Sequence, residues 1–452
     1  MKQRGDAKAL CEQGKQFEHT GNLLLACDAF QSALRYAKTK QERLEADQQV
    51  ARVSALMECT SFRPADYARS LHKAVSIYCY GRSGTHFLKS LLDGHPSIIL
   101  SMLDGTKIWS LWDDMLSQGK AWSVAQLIET IFTVFPAEFN EGTMHEKLKM
   151  DGMCSLGDEQ DGIFSIDKAR FAEHFSAIVQ SVSEIEDVTF LYQAVQLAAS
   201  WALGRKHDFS RGIPVIVEGG IHFCTNHVQT KQFLQAFPSA TLLQMVRNPA
   251  IAFASALKYQ LHSGKTSLYN LCYQLVSLFH EPPLGPSGNN TYLVRLEDLH
   301  LYPRQTLMLV CDCLGIDWND SLLHSTFVGM KWWNTSTSDQ ISGFTTHTIS
   351  KTYDELLSPF DKQRLQAMLR VKYEAWGYPL NEWTSDDPPE EWLKIPFKFE
   401  ALFSQDEATL ATNRKMIHKL LLKQLNEERC RDDNDRGEYK ACLLSPERTG
   451  AI

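Results

Sequence analysis

The spacing of apolar residues changes near residue 73 and divides the chain into two parts. Up to about residue 70, apolar or small residues recur every three or four positions, as in amphipathic helices, and Thr20-Gly21-Asn22 marks a turn between two of them. From Lys73 onward, short runs of apolar and β-branched residues alternate with helix-period segments. The pattern predicts two antiparallel N-terminal helices followed by an α/β domain.

Four short apolar runs are the candidate strands of the α/β domain. Strands that are separated by helical stretches form a parallel sheet with helices on both faces, and ligands of such sheets bind at the carboxyl ends of the strands. Two helical regions with a Gly- and Asp-rich loop between them are inserted between the first two strands. The candidate strands are 75–80, 213–217, 241–246 and 292–296, and the insertion comprises the helical regions 107–135 and 166–204 and the loop 151–162.

The composition narrows the classes of partner. The formal net charge is −8, so the surface as a whole does not attract nucleic acid or anionic lipid, and any anion site must be local. No segment approaches ~18 uncharged apolar residues, and the start of the chain lacks the apolar stretch of a secretory signal. The eleven cysteines have no paired metal-ligand spacing. We therefore expect a cytoplasmic protein with reduced thiols and without a transmembrane segment, a nucleic-acid partner or a metal site.

The segment 76–92 holds the first candidate binding site. A strand ends at Gly81 and a helix begins near Thr85, so the residues between them form a turn at the carboxyl end of the sheet. Glycines in this turn let successive N–H groups point inward, and the helix N-terminus adds partial positive charge. Arg82, Ser83 and Thr85 add side-chain donors. The turn therefore predicts an anion site, but it lacks the Gly-Lys-Ser or Gly-Lys-Thr of an ATP-type phosphate loop.

A second polar cluster follows the candidate strand 241–246. The strand delivers Arg247 to its carboxyl end, Asn248 can cap the next helix, and Pro249 suits the first helical position. Ser255 then lies two turns into that helix. By itself an Arg-Asn-Pro sequence is also typical of simple helix capping, so the order of the two clusters along the chain matters for their interpretation.

In this order the two clusters resemble the motifs of the PAPS-dependent sulfotransferases, which use 3′-phosphoadenosine-5′-phosphosulfate (PAPS) as sulfuryl donor. The first is similar to the family's 5′-phosphosulfate loop, in which a basic residue precedes Ser-Gly-Thr and usually a second Thr; here His86 replaces that Thr. The second is similar to the 3′-phosphate motif, an Arg at a strand end and a Ser eight positions later. The resemblance implies a P-loop-like fold over residues 73–378 and these PAPS contacts: Arg82, Ser83, Gly84, Thr85, His86, Arg247 and Ser255.

Two further segments resemble the family more weakly. The strand end 292–299 is similar to the family's Arg-Tyr-Glu-Asp-Leu, where we expect Glu297 and Asp298 to pair with basic residues or to cap a helix. Residues 342–345 and Lys351 occupy the stretch in which relatives fold a loop over the nucleotide. Trp332-Trp333 nearby either covers the adenine or anchors this loop, and core packing is the simpler interpretation.

The resemblance leaves the general base open. An acceptor hydroxyl must lose a proton as it attacks sulfur, and relatives use a Glu shortly after the first helix or a His from another loop. Asp104 is the first candidate here, followed by Glu218, which we expect at the end of its strand, and by His222. Relatives often have Lys-Thr-Pro after this carboxylate, and Gly219-Gly220-Ile221 departs from that pattern. Arg82 is expected to stabilise the charge that develops on the bridging oxygen of the donor.

These features imply a sulfotransferase that acts on a hydroxyl or an amine without a metal, and they leave the acceptor open between carbohydrate, lipid, small metabolite and peptide tyrosine. An ATP-dependent phosphotransferase and a non-catalytic binding module on the same fold are the alternatives. Residues 1–70 resemble a single tetratricopeptide repeat, which we expect to pack on the neighbouring domain and to offer a surface for protein contact. Residues 379–452 are expected to form a linker around 384–389, an amphipathic helix around 410–428 and a mobile tail.

Overall fold

A computed structural model describes most of the chain. The described residues are 6–79, 81–119, 122–182, 185, 187–222, 227–262, 291–334, 342–380, 390–402, parts of 412–422, and 442–446. The expected linker at 384–389 therefore lies outside the described residues. Among the described residues, no helix combines the length and the apolar character that crossing a bilayer requires.

The core is a parallel sheet of six strands, which confirms the predicted α/β class. The strands follow the order β2-β3-β1-β4-β5-β8, and a separate antiparallel pair is formed by β6 and β7. The strands are β1 Ala74–Cys79, β2 Ile98–Leu100, β3 Val215–His222, β4 Thr241–Val246, β5 Thr291–Arg295, β6 Thr326–Phe327, β7 Met330–Lys331 and β8 Cys442–Leu443.

Helices flank both faces of this sheet. Their bounds are α1 Ala7–His19, α2 Leu23–Tyr36, α3 Lys40–Glu58, α4 Pro64–Ser70, α5 Thr85–Leu92, α6 Gly105–Gln118, α7 Val124–Val134, α8 Glu146–Met150, α9 Lys168–Gln180, α10 Val188–Ala202, α11 His227–Ala236, α12 Pro249–His262, α13 Leu296–Leu301, α14 Pro303–Leu314, α15 Pro359–Met368, α16 Arg370–Ala375 and α17 Glu390–Lys394. Successive residues of β3 show the two faces: Glu218 contacts Tyr192 of α10, whereas Gly219 contacts Lys89 of α5.

Strand β3 is longer than the sequence predicts, and this corrects the position of one candidate. We expect Glu218 at the end of a strand 213–217, but the strand continues to His222, and Glu218 lies in its middle, opposite Ser76 of β1. The consecutive glycines after Glu218 suggest a break in the strand. They remain in the strand because Gly219 is packed under a side chain of α5, and the register shifts at Gly220.

The N-terminal helices form a small cluster of their own and also dock on the α/β domain. Gly14 of α1 lets α2 approach, since a Cβ at this position would lie 2.5 Å from the ring of Phe30. The buried Asp28 of α2 accepts hydrogen bonds from Lys73 Nζ at 2.6 Å and from Ile213 N at 2.9 Å. These two residues precede β1 and β3, so the segment packs at the amino ends of the strands. Its resemblance to a tetratricopeptide repeat stays a prediction.

The segment 442–446 differs from the predicted mobile tail. Cys442 and Leu443 form β8, which pairs with β5, and Leu444 N donates to Leu293 O at 2.9 Å. Leu444 is buried, and this apolar contact holds the segment against the sheet despite its charged surroundings. The described positions between 412 and 422 are helical, as predicted, and Ile417 and Leu421 are buried in the main core.

Candidate functional site

The turn between β1 and α5 has a backbone that only a few residues tolerate. Gly81, Arg82 and Gly84 have φ angles of 82°, 55° and 93°, in the left-handed region. This conformation is natural for glycine but costs an L-residue such as Arg82 roughly 1–2 kcal/mol. At Gly84 a side chain is also excluded by space, because a Cβ would lie 2.5 Å from Leu296 Cδ1. The strained turn delivers the Arg82 backbone and the first turn of α5 to the carboxyl end of the sheet.

Two hydroxyl groups in this turn are buried without a partner. The residues Ser83 and Thr85 are 2% and 7% exposed, and neither hydroxyl forms a hydrogen bond with any part of the chain that the structure describes. A buried polar group that lacks a partner costs about 1–3 kcal/mol. Hydroxyls at a helix N-terminus are suited to an anion, so these two groups fit an anionic ligand.

The Arg82 guanidinium lies against Tyr259 of α12, with its Cζ atom 5.1 Å from the ring centroid. Burial lowers the pKa of Arg82; the Tyr353 phenol opposes this shift, and the Arg247 guanidinium adds to it. The two arginines are therefore close enough to repel each other. The structure thus brings the two predicted motifs together at one site, and such like-charged neighbours are stabilised when an anion lies between them.

Arg247 follows β4 directly and is buried. Its Nη2 donates to Thr348 O at 2.8 Å, while its Nε has no partner among the described residues. Ser255 is buried on α12, two helical turns further along. Burial, and then Arg247, lower the pKa of the nearby His300 to about 4, which keeps that imidazole neutral at pH 7. Among the described residues, the guanidinium of Arg247 therefore keeps a donor for an anionic ligand, next to the helix that carries the buried Ser255.

Glu297 braces the turn that carries Arg247. Its Oε1 accepts from Asn248 N at 3.2 Å, and its Oε2 accepts from Tyr378 OH at 2.6 Å. Asp298 forms a bidentate pair with Arg295, with distances of 2.9 and 2.7 Å. Asp298 thus pairs with a basic residue, as the sequence leads us to expect, whereas Glu297 accepts from a backbone N–H and a phenol instead.

The loop that begins at residue 342, called the late loop below, packs against both motifs. Thr345 N donates to His300 Nδ1 at 3.1 Å, and Phe344 makes an edge contact with Phe87 of α5 at 5.5 Å. The tryptophans before it serve another purpose: Trp332 Nε1 donates to Asp151 O at 3.0 Å and Trp333 Nε1 to Gly157 O at 2.7 Å. They anchor the loop of the insertion, which agrees with the packing interpretation rather than with a cover for adenine.

His86 is directed toward the insertion. Its Nε2 lies 3.4 Å from Asp151 Oδ1, so it links the first turn of α5 to the loop 151–162. The structure therefore brings the insertion next to the turn 81–85. A direct contact of His86 with the nucleotide stays a prediction.

The three candidate bases have different surroundings. Glu218 is buried, and its Oε2 accepts from Ser101 Oγ and Tyr192 OH, both at 2.8 Å, and from Gly105 N at 3.3 Å. Burial, and then the charge of Asp104, raise the pKa of Glu218 to about 7. Asp104 caps α6 by accepting from Thr106 N at 2.9 Å and is half-buried. His222 ends β3 opposite Cys79, and its side chain lies outside the described part of the structure.

Sequence reasoning misses three residues that act on Arg82 or Arg247. Tyr259 lies four positions after Ser255, so helical periodicity could have placed both on one face. Thr348 contributes only a backbone carbonyl, which leaves no side-chain signal, and Tyr353 reaches the site through the late loop.

The comparison with known proteins agrees with this arrangement. Residues 74–320, more than half of the chain, match the model of the Sulfotransferase family, and this segment contains both anion motifs. Among solved structures, the chain is similar to the sulfotransferase domain from the Synechococcus PCC 7002 olefin synthase, with 15% identity over 68% of this chain and 96% of that chain and a TM-score of 0.36. It is also similar to the sulfotransferase domain from the curacin biosynthetic pathway, with 15% identity over 68% of this chain and 99% of that chain and a TM-score of 0.35. No curated protein matches the chain. With a family match of this extent, the chain belongs to the sulfotransferase family.

Proposed function

We propose that the protein transfers the sulfuryl group of PAPS to a hydroxyl or amine of an acceptor that enters beside the insertion. The main support is a set of buried donors that have no partner among the described residues: the hydroxyls of Ser83 and Thr85 in one motif and Nε of Arg247 in the other. A nucleotide with an anionic group at each end satisfies both motifs at once.

The residues divide the work of transfer between them. Ser83, Thr85 and the N-terminus of α5 hold the phosphosulfate, while Arg247 and Ser255 hold the 3′-phosphate. The acceptor oxygen forms a bond to sulfur, and the bond between sulfur and the bridging oxygen breaks. The electron pair of that bond stays on the phosphate of adenosine 3′,5′-bisphosphate, where Arg82 stabilises the charge. The proton of the acceptor passes to a carboxylate or an imidazole.

The base is to be sought among Asp104, Glu218 and His222. A base is most effective when its pKa is near the working pH, and the pKa of about 7 of Glu218 meets this condition. Three donors already occupy one of its oxygens, which leaves the other for a proton. Asp104 is more exposed, and it is close enough for its charge to raise the pKa of Glu218.

Ligand-dependent stability tests the nucleotide. A ligand at 100 times its Kd stabilises the folded state by about 2.7 kcal/mol, so PAPS and adenosine 3′,5′-bisphosphate should each raise the melting temperature. Stabilisation by ATP with magnesium but not by the bisphosphate would favour a phosphotransferase instead.

Transfer itself is tested with labelled PAPS and cell extract, followed by mass spectrometry for a product that has gained one SO₃ unit. The label should enter an acceptor with wild-type protein and not with Arg82→Met. Nucleotide binding without any transfer would support the non-catalytic binding module.

A further inference from the structure

Helix α5 carries a buried lysine that belongs to neither motif. Lys89 is 8% exposed and lies one turn after Thr85. Its stem crosses β3 at Gly219, where a Cβ would be 2.5 Å from Lys89 Cδ and 3.0 Å from Cε. Gly219 is therefore the residue that makes room for this side chain, and any larger residue would displace it.

The ammonium group of Lys89 has no hydrogen bond and no ion pair among the described residues, although the residue is only 8% exposed. Burial lowers the pKa of Lys89, and the charges of Glu218 and Asp151 oppose this shift without reaching pairing distance. A buried charge that is not paired is expensive. Such a group is retained where a ligand supplies the missing acceptors.

Glu218 is not the missing partner. Its side chain leaves β3 on the face of α10, whereas the stem of Lys89 lies on the face of α5. One carboxylate oxygen is also engaged by Ser101 and Tyr192. The charges that act on Lys89 are, from largest to smallest effect, those of Glu218, Asp151, Lys147 and Asp104. Asp104 follows β2 at the carboxyl end of the sheet.

The side chain of Lys89 is directed toward the turn 81–85, which holds the phosphosulfate in the proposed function. Side chains of a helix lean toward its N-terminus and cover the preceding turn. Lys89 therefore leans from the second turn of α5 toward Thr85, and Asp104 and Asp151 are close enough for their charges to act on it.

We propose that Lys89 is a further catalytic residue, whose ammonium binds the sulfuryl oxygens of PAPS and holds that group in line with the attacking acceptor. This inference rests on the proposed function. Lys89 keeps its proton throughout: the bond to sulfur forms from the acceptor, the bond to the bridging oxygen breaks, and the ammonium only donates hydrogen bonds.

The test compares two nucleotides that differ by the sulfuryl group. Dissociation constants for PAPS and for adenosine 3′,5′-bisphosphate are measured by calorimetry for wild type, Lys89→Met, Lys89→Arg and, as a control, Lys149→Met, which alters an exposed lysine. Lys89→Met should weaken PAPS about ten- to a hundredfold, the size of one charged hydrogen bond, and leave the bisphosphate within about twofold. Lys89→Arg should recover part of the loss, and Lys149→Met should change neither constant.

A structural role would give a different result. Equal weakening of both nucleotides by Lys89→Met, or no weakening of either, overturns the inference while leaving the proposed function intact. If wild-type protein binds neither nucleotide, the proposed function fails and the inference fails with it. Gly219→Ala keeps the charge but displaces the stem, so it should reproduce the selective loss for PAPS even where Lys89→Met fails to fold.

Discussion

Replacing Thr85 by valine should separate nucleotide binding from stability. The substitution keeps the shape of the side chain and removes a hydroxyl that is buried without a partner among the described residues. Because that hydroxyl costs about 1–3 kcal/mol in the absence of a ligand, the ligand-free variant should be as stable as wild type or more stable by about 1–2 kcal/mol. A hydrogen bond to a charged group contributes about 1.5–3 kcal/mol, so the affinity for adenosine 3′,5′-bisphosphate should fall about ten- to a hundredfold.

Thr306→Val is the matched control. Thr306 is also fully buried, but its Oγ1 donates to Asp298 O at 3.0 Å, so its loss should destabilise the protein by about 1–3 kcal/mol and leave the affinity unchanged. Urea denaturation without ligand gives the stabilities, and calorimetry gives the affinities. If Thr85→Val destabilised the free protein like the control and bound the nucleotide normally, Thr85 would be an ordinary core residue and the turn would not be an anion site.

Two further substitutions test Glu218 and the N-terminal segment. The raised pKa of Glu218, about 7 against 4.5, means that the folded state retains a proton which the unfolded chain releases. The contribution of Glu218 to stability therefore falls by about 3 kcal/mol as pH rises from 4.5 to 7. Glu218→Gln should remove this pH dependence of the free energy of unfolding, measured by urea denaturation at pH 5 and 8. An unchanged pH dependence would contradict the raised pKa of Glu218. If Glu218 is also the base, kcat should decline below about pH 7 in wild type and collapse in Glu218→Gln. Asp104→Asn should stay active with the decline moved to lower pH, because the charge of Asp104 contributes to the raised pKa of Glu218. Asp28→Ala leaves Ile213 N and Lys73 without their acceptor and should lower the free energy of unfolding by about 2–4 kcal/mol in the same assay. The control Asp47→Ala changes an exposed residue and should have no measurable effect. Equal effects of the two variants would refute the contact of Asp28 with the α/β domain.

The local motifs were predictable because each is continuous in the sequence. The turn 81–85 and the pair Arg247 and Ser255 depend on residues that are neighbours along one strand and one helix, so the strand-to-helix pattern suffices to find them. The four main strands were predictable for the same reason, since buried parallel strands are short apolar runs.

The remaining features depend on contacts between distant segments. From the sequence alone, Gly219 suggests a break in the strand. The structure shows that the side chain of Lys89 occupies the space next to it. Strand β2 has three residues and β8 has two, too few for a pattern, and β8 exists only because β5 offers it an edge. The approach of Arg82 to Arg247 likewise follows from the order of β1 and β4 in the sheet, which spacing along the chain does not encode.

The pairing of β8 with β5 has a practical consequence for handling the protein. Arg295 ends β5 and lies beside Val246 of β4, the residue that precedes Arg247. The Nη2 of Arg295 donates to Ser445 Oγ at 3.2 Å. Proteolytic removal of the segment 442–446 would uncover the backbone N–H and C=O groups of β5, and exposed strand edges of this kind promote association between molecules. Preparations that lose this segment should therefore aggregate.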